Sequence, residues 1–133
     1  MPKLEQTTTV RLGDGVFKTR VASTSGELER GLSRVEKLAP NQGMLFVFRK
    51  DAPWAIWMKD MKIPIDIIWL DQNKTVVHIV QNAQPEGYPQ EKFIPKSDAR
   101  YVFEAAAGTV KSREIRVGNK AVFSLASNQG WKR

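Results

Sequence analysis

Cysteine is absent from these 133 residues. Disulfides, thiolate metal centres and thiol nucleophiles are therefore excluded. Histidine is nearly absent, since His78 stands alone. A zinc or iron site generally draws on several His or Cys ligands, so no metal is expected. His78 reads as an ordinary strand histidine, facing the same way as Val76 and Val80. No glycine-rich phosphate loop occurs, because Gly13-Asp14-Gly15 lacks the required spacing and a hairpin turn accounts for it. No GxSxG elbow is present, and no cofactor is expected. No run approaches the ~20 apolar residues of a membrane span. Residues 1–10 lack the apolar centre of a secretion signal, so no signal peptide is expected in the chain as it stands.

What is present suits one globular domain, expected over residues 1–133 with a polar tail at 126–133. Hydrophobic residues make up 41%, and nine glycines bring the total near the globular norm. A chain of about 130 residues can bury roughly two-thirds of its unfolded surface. The net charge is +7, from 21 basic and 14 acidic side chains, with pI near 9.9. The densest basic patch is Lys111, Arg113, Arg116 and Lys120, offset by Glu114. Such charge suits an acidic partner. Without a motif or interleaved aromatics, nucleic acid is nevertheless a disfavoured partner.

Short apolar runs broken by Gly, Pro, Asn and Asp point to strands. Residues 8–12 and 16–22 flank the Gly13-Asp14-Gly15 turn and predict a hairpin. Thr24 followed by Glu27 matches a capping box opening a short helix. Leu28, Leu32 and Val35 supply its apolar face, and Gly31 within it suggests close packing. Residues 43–48, 54–58, 63–70, 75–81, 101–106 and 121–125 read as further apolar segments, and 109–113 as a helical turn. Residues 84–98, with three prolines, form a long loop. The expected fold is mainly β: a compact antiparallel β-sandwich or partly closed barrel with one or two short helices.

In the 63–70 segment, Ile63, Ile65, Ile67 and Trp69 alternate with Pro64, Asp66, Ile68 and Leu70. Both faces are greasy, so Asp66 is expected to be buried. A buried charge must be paired, hydrogen-bonded or neutralised. Arg30, Lys59 and Arg100 are the candidate partners. Glu104 shares a strand face with Val102 and Ala106. Asp66 and Glu104 are thus the candidate acid and base, should the protein be an enzyme acting on a small polar or carbohydrate substrate. The alternative for Asp66 is a structural ion pair or a turn-fixing hydrogen bond. Trp54, Trp57 and Trp69 cluster beside Met58 and Met61, as core or as an aromatic-lined pocket. The polar stretch 59–62 between two apolar runs is a natural place for binding residues. The candidate ligand site is therefore Arg30, Trp57, Lys59, Asp60, Asp66 and Arg100.

Several short motifs occur in a recognisable order: Glu29-Arg30-Gly31-Leu32, Gly43-Met44-Leu45-Phe46-Val47-Phe48, Trp57-Met58-Lys59-Asp60, Ile63-Pro64-Ile65-Asp66-Ile67, Ala99-Arg100-Tyr101-Val102-Phe103-Glu104 and Val117-Gly118-Asn119-Lys120. Their succession resembles the domain of unknown function 192 family, over about residues 16–125. The resemblance implies a bacterial or archaeal β-rich domain without an assigned activity, often preceded by a secretion signal. It thus favours a periplasmic or secreted location. Two departures stand out: many relatives have Asn where this chain has Asp60, and many carry cysteines in the 84–98 loop. The resulting expectation is a monomeric, non-enzymatic binding or accessory module of the cell envelope. Its partner would be an unidentified small molecule or an envelope component.

Overall fold

The computed structural model describes residues 6–126. The polar tail expected beyond them lies outside the described residues. The chain opens with the expected hairpin, β1 (Gln6–Leu12) and β2 (Gly15–Ala22), paired so that Leu12 faces Gly15 across a two-residue turn. Gly13 sits there at φ 57, which a glycine adopts without steric cost. Helix α1 (Ser25–Arg30) follows, opened by the Thr24–Glu27 capping box. It ends one residue before Gly31, whose φ is 49. A Cβ at Gly31 would sit 2.9 Å from the Phe46 ring, so close packing does explain this glycine. Leu32 and Val35 still turn inward, although the helix has stopped.

Six strands form one sheet in the order β1-β2-β3-β8-β5-β6, with β3 (Gln42–Ala52), β5 (Ile65–Leu70), β6 (Val76–Ala83) and β8 (Ala99–Ala106). The fold is mostly β with two short helices, α1 and α2 (Thr109–Ser112), as the strand-like runs predict. Two details differ from the antiparallel, partly closed expectation. β2 and β3 pair in parallel, because α1 and the residues after it return the chain to the same edge. The sheet also does not close into a barrel. Instead, residues 118–123 span the gap as isolated bridges rather than the expected last strand. Val122 exchanges backbone hydrogen bonds of 2.9 Å with Arg11, and Ala121 N donates to Lys74 O at 2.9 Å.

Both sheet faces are buried, as the near-continuous apolar run of β5 requires. On the first face Phe17, Leu45, Ile68, Leu70 and Phe103 pack with Val110, Ile115, Ala121 and Phe123. Phe17 and Phe103 meet with ring centroids 5.1 Å apart. On the second face Met44, Phe46, Ile65, Ile67, Trp69 and Val102 pack beneath Leu32, Met58 and several half-buried aromatics. Trp69 is fully buried, and its indole N–H donates to Trp54 O at 2.8 Å. Satisfying that polar tip lets the ring contribute roughly 2–3 kcal/mol of apolar burial.

The apolar run around Trp54 yields only β4 (Ile56–Trp57), which pairs with β7 (Lys92–Phe93) in a separate two-stranded ribbon. The long proline-containing loop therefore folds back onto the second face, through a 3-10 turn at Pro85–Gly87. His78 shares a face with Val80 but not with Val76. A register shift opposite Trp69 and Leu70 resets the alternation, and His78 packs edge-on against Trp69.

Candidate functional site

Asp66 and Glu104 lie on neighbouring strands, with Asp66 opposite Ala105 and Ile67 opposite Glu104. That one-residue offset sends the two carboxyl groups out of opposite sides of the sheet. Asp66, fully buried at 0% exposure, leaves with Ile68 and Leu70 on the first face. Its expected cationic partners are not there. Asn82 N donates to Oδ1 and Val110 N donates to Oδ2, both at 2.8 Å. The reason is local. Ile65 pairs with Ala83 and Ile67 with Val80, so two residues of β6 stand opposite Asp66 alone. This bulge, with Asn82 at φ 57, frees the Asn82 N–H from the ladder. Val110 lies in the first turn of α2, whose N-cap is Gly108 and therefore has no side chain to cap it. One carboxylate satisfies both donors, so Asp66 is a structural clasp that takes the turn-fixing alternative.

Arg100 serves elsewhere too. Its Nε donates to Asp51 Oδ1 at 2.8 Å, in a half-exposed pair.

Glu104 leaves on the second face, with Val102, and is 3% exposed. Among the described residues no hydrogen bond or ion pair engages its carboxyl group. Burial alone pushes its pKa up from 4.5 to about 8. A carboxyl group so placed is predominantly protonated at neutral pH. It stands at the inner end of a cleft of about 690 Å³. Leu28, Phe46, Phe48, Ile56, Met61 and Ile65 line the walls. The outer part carries the expected Arg30, Trp57, Lys59 and Asp60, joined by Glu29 and Arg34.

Two turns frame that mouth and are tied together. Arg34 N donates to Asp60 O at 2.8 Å and Ser33 Oγ to Lys59 O at 3.3 Å. Arg34 and Asp60 both adopt positive φ, 66 and 59, and this turns the chain back at each contact. Trp57, 46% exposed, forms a lip held edge-on against Tyr88 at 5.2 Å, with Lys92 Nζ 5.3 Å from its ring centre. The basic side chains of the mouth are exposed, whereas Glu104 is not.

The structure thus brings Arg30, Trp57, Lys59, Asp60 and Glu104 to one cleft and places Asp66 and Arg100 outside it. Sequence reasoning missed Arg34, whose role at the mouth depends on a turn with no motif of its own. A substrate in the cleft touches only one of the two candidate carboxyl groups, because the sheet separates them. Among the described residues no group of three or more His, Cys, Asp or Glu could hold a metal ion, and no helix is long and apolar enough to cross a membrane.

Comparison with known proteins places this architecture. The family model DUF192, described as Uncharacterized ACR, matches residues 8–123, and the chain belongs to that family. A UPF0127 protein of the archaeon Thermococcus kodakarensis is 30% identical over 104 residues, covering 77% of this chain and 62% of that protein. The chain therefore spans about three-fifths of the length of that curated relative. A candidate transcription regulator from Sinorhizobium meliloti superposes with a TM-score of 0.85 at 26% identity, covering 92% of this chain and 98% of the other. A protein of unknown function from Novosphingobium aromaticivorans superposes with a TM-score of 0.80 at 28% identity, covering 89% and 84%.

Proposed function

We propose that this DUF192 member is a ligand-binding module rather than an enzyme, and that its ligand enters the cleft ending at Glu104. One observation carries the reading: a carboxyl group that is almost wholly buried, has no partner among the described residues, and lines a cleft of ligand size. What remains accessible of it opens onto the cleft, so a ligand there meets an acid to which the described residues give no partner. Arg30, Trp57, Lys59 and Asp60 are the outer contacts in this proposal, while Asp66 and Arg100 hold the scaffold. The cell-envelope setting is the one the family resemblance favours, and it is part of the same proposal.

A thermal-shift screen of chemically varied metabolites tests it, run beside Ala55→Trp. Ala55 is exposed and lines the cleft, so an indole there fills the space without entering the core. The expected result is a class of compounds that raises the melting temperature of the wild type and leaves Ala55→Trp unmoved. A screen in which no compound separates the two proteins rejects the proposal.

A basic nucleic-acid-binding domain is the second reading. The structural neighbour described as a candidate transcription regulator favours it, and so do the exposed Lys111, Arg116 and Lys120. Against it, Glu114 reaches Arg116 at 3.7 Å within that patch. Duplex DNA retained at low salt and released steeply with added salt would support this reading. Absence of binding at low salt would end it.

A further inference from the structure

The two ends of the cleft differ in chemistry. The inner end holds one acidic group and no basic one. The outer end holds three basic side chains, Arg30, Arg34 and Lys59, against two acidic ones, Glu29 and Asp60. Between them lie apolar walls. Resting on the reading of this cleft as the binding site, we infer that its ligand is an amine with an acidic far end, the ammonium group meeting Glu104 and the anionic group held at the mouth by Arg30, Arg34 and Lys59.

The argument is one of missing partners. None of the described basic side chains forms an ion pair with Glu104. The charged groups that border the cleft come from α1 and its following turn (Glu29, Arg30, Arg34) and from the 58–61 turn (Lys59, Asp60). β3 and β5 contribute Met44, Phe46, Ile65 and Ile67 to this face, none of which titrates. Arg20 of β2 stands opposite Met44 and is already engaged in an interaction of its own. An incoming ammonium group is the species that turns the buried acid into a favourable charge pair. Charge-assisted hydrogen bonds are about twice as strong as neutral ones. A ligand hydroxyl makes only the neutral bond. At the mouth the anionic group meets exposed cations, so that contact is weaker and screened by salt.

The pairing also moves a proton. In the empty cleft Glu104 is predominantly protonated below about pH 8. Binding an ammonium group ionises it and releases that proton to solvent, while the ligand keeps its own charge. Affinity for the amine should therefore rise about tenfold per pH unit and level off above about pH 8.

Titration calorimetry on the full chain tests this with ε-aminocaproate, hexylamine, caproate and hydroxycaproate, together with shorter and longer homologues. The expected order puts the amino acid first. Hexylamine should be weaker by roughly threefold to tenfold at low salt, and caproate and hydroxycaproate by roughly tenfold to a hundredfold. Glu104→Gln should remove the advantage of the amines and abolish the pH dependence. Equal affinity for the amine and the hydroxyl compound overturns the inference. So does an affinity for the amine that falls as pH rises, because the ligand would then bind without ionising Glu104. Both results leave the cleft as a binding site. No binding by any homologue, with metabolites still separating wild type from Ala55→Trp, overturns the amine alone. No separation by any compound overturns both readings.

Discussion

Two buried acids sit one pairing position apart on neighbouring strands and live on opposite sides of one sheet. Asp66 accepts two backbone hydrogen bonds at 2.8 Å and completes its surroundings. Glu104 accepts none among the described residues and faces a cleft. Burial is thus a poor guide to role. What separates a clasp from a site is whether the protein itself supplies the partners, since a satisfied buried group stabilises and an unsatisfied one costs stability.

The contrast can be broken most forcefully at Asp66. Asp66→Ala leaves two N–H groups without acceptors, a part-buried one at the β6 bulge and a buried one at the start of α2. It should destabilise by roughly 2–4 kcal/mol in urea titration. A loss below about 1 kcal/mol would show that water replaces the carboxylate. Asp66→Asn keeps one acceptor and places an amide where both neighbours donate. It should cost less than the alanine variant and leave ligand response in the cleft intact.

At Glu104 the sign reverses. The folded protein holds a proton there that the unfolded chain loses near pH 4.5, the folded group titrating near 8. The wild type therefore loses stability as pH rises through that window. Glu104→Gln has no such proton to lose. Its advantage over wild type should be small near pH 4 and grow to on the order of 4 kcal/mol by pH 8, read from denaturant titrations at several pH values. A gap that stays flat with pH would mean that Glu104 ionises freely in the folded protein.

Smaller effects sharpen the same comparison. Gly31→Ala pushes a methyl group to 2.9 Å from Phe46 at a backbone conformation that alanine disfavours. It should cost roughly 1–2 kcal/mol and weaken cleft ligands, because Phe46 lines the wall. A ligand response unchanged in that variant would separate the wall from the site. Smallest of all, Arg100→Ala removes an exposed pair with Asp51 and should cost under about 1 kcal/mol. A loss near that of Asp66→Ala would tie Arg100 to the buried clasp after all.

Much of this is legible in the sequence. Alternation alone placed Ile65, Ile67 and Trp69 on one face and Asp66, Ile68 and Leu70 on the other, and the two cores follow that division. The capping box at Thr24 and the Gly13 turn form as their residue chemistry demands. What alternation cannot tell is which face carries a cleft. Both faces of β5 are equally greasy, so Asp66 looked the more anomalous acid, being flanked by isoleucines. The deciding contacts are long-range: a bulge in β6 and the start of α2 meet Asp66, and neither leaves a mark near residue 66. Bulges also explain His78, whose facing shifted once the register slipped. The parallel pairing of β2 with β3 was equally hidden, since it depends on the path taken by residues 23–41 rather than on either strand.

The bridges made by residues 118–123 carry a consequence for how the chain is made. They join β1 to the turn before β6, so the first core cannot be sealed until residues made long after β1 leave the ribosome. Contacts of such wide sequence separation slow folding, because loop closure must precede their reward. The hairpin must therefore wait with Phe17 and Leu12 unprotected, and a chain stalled before residue 118 would present that greasy surface to chaperones.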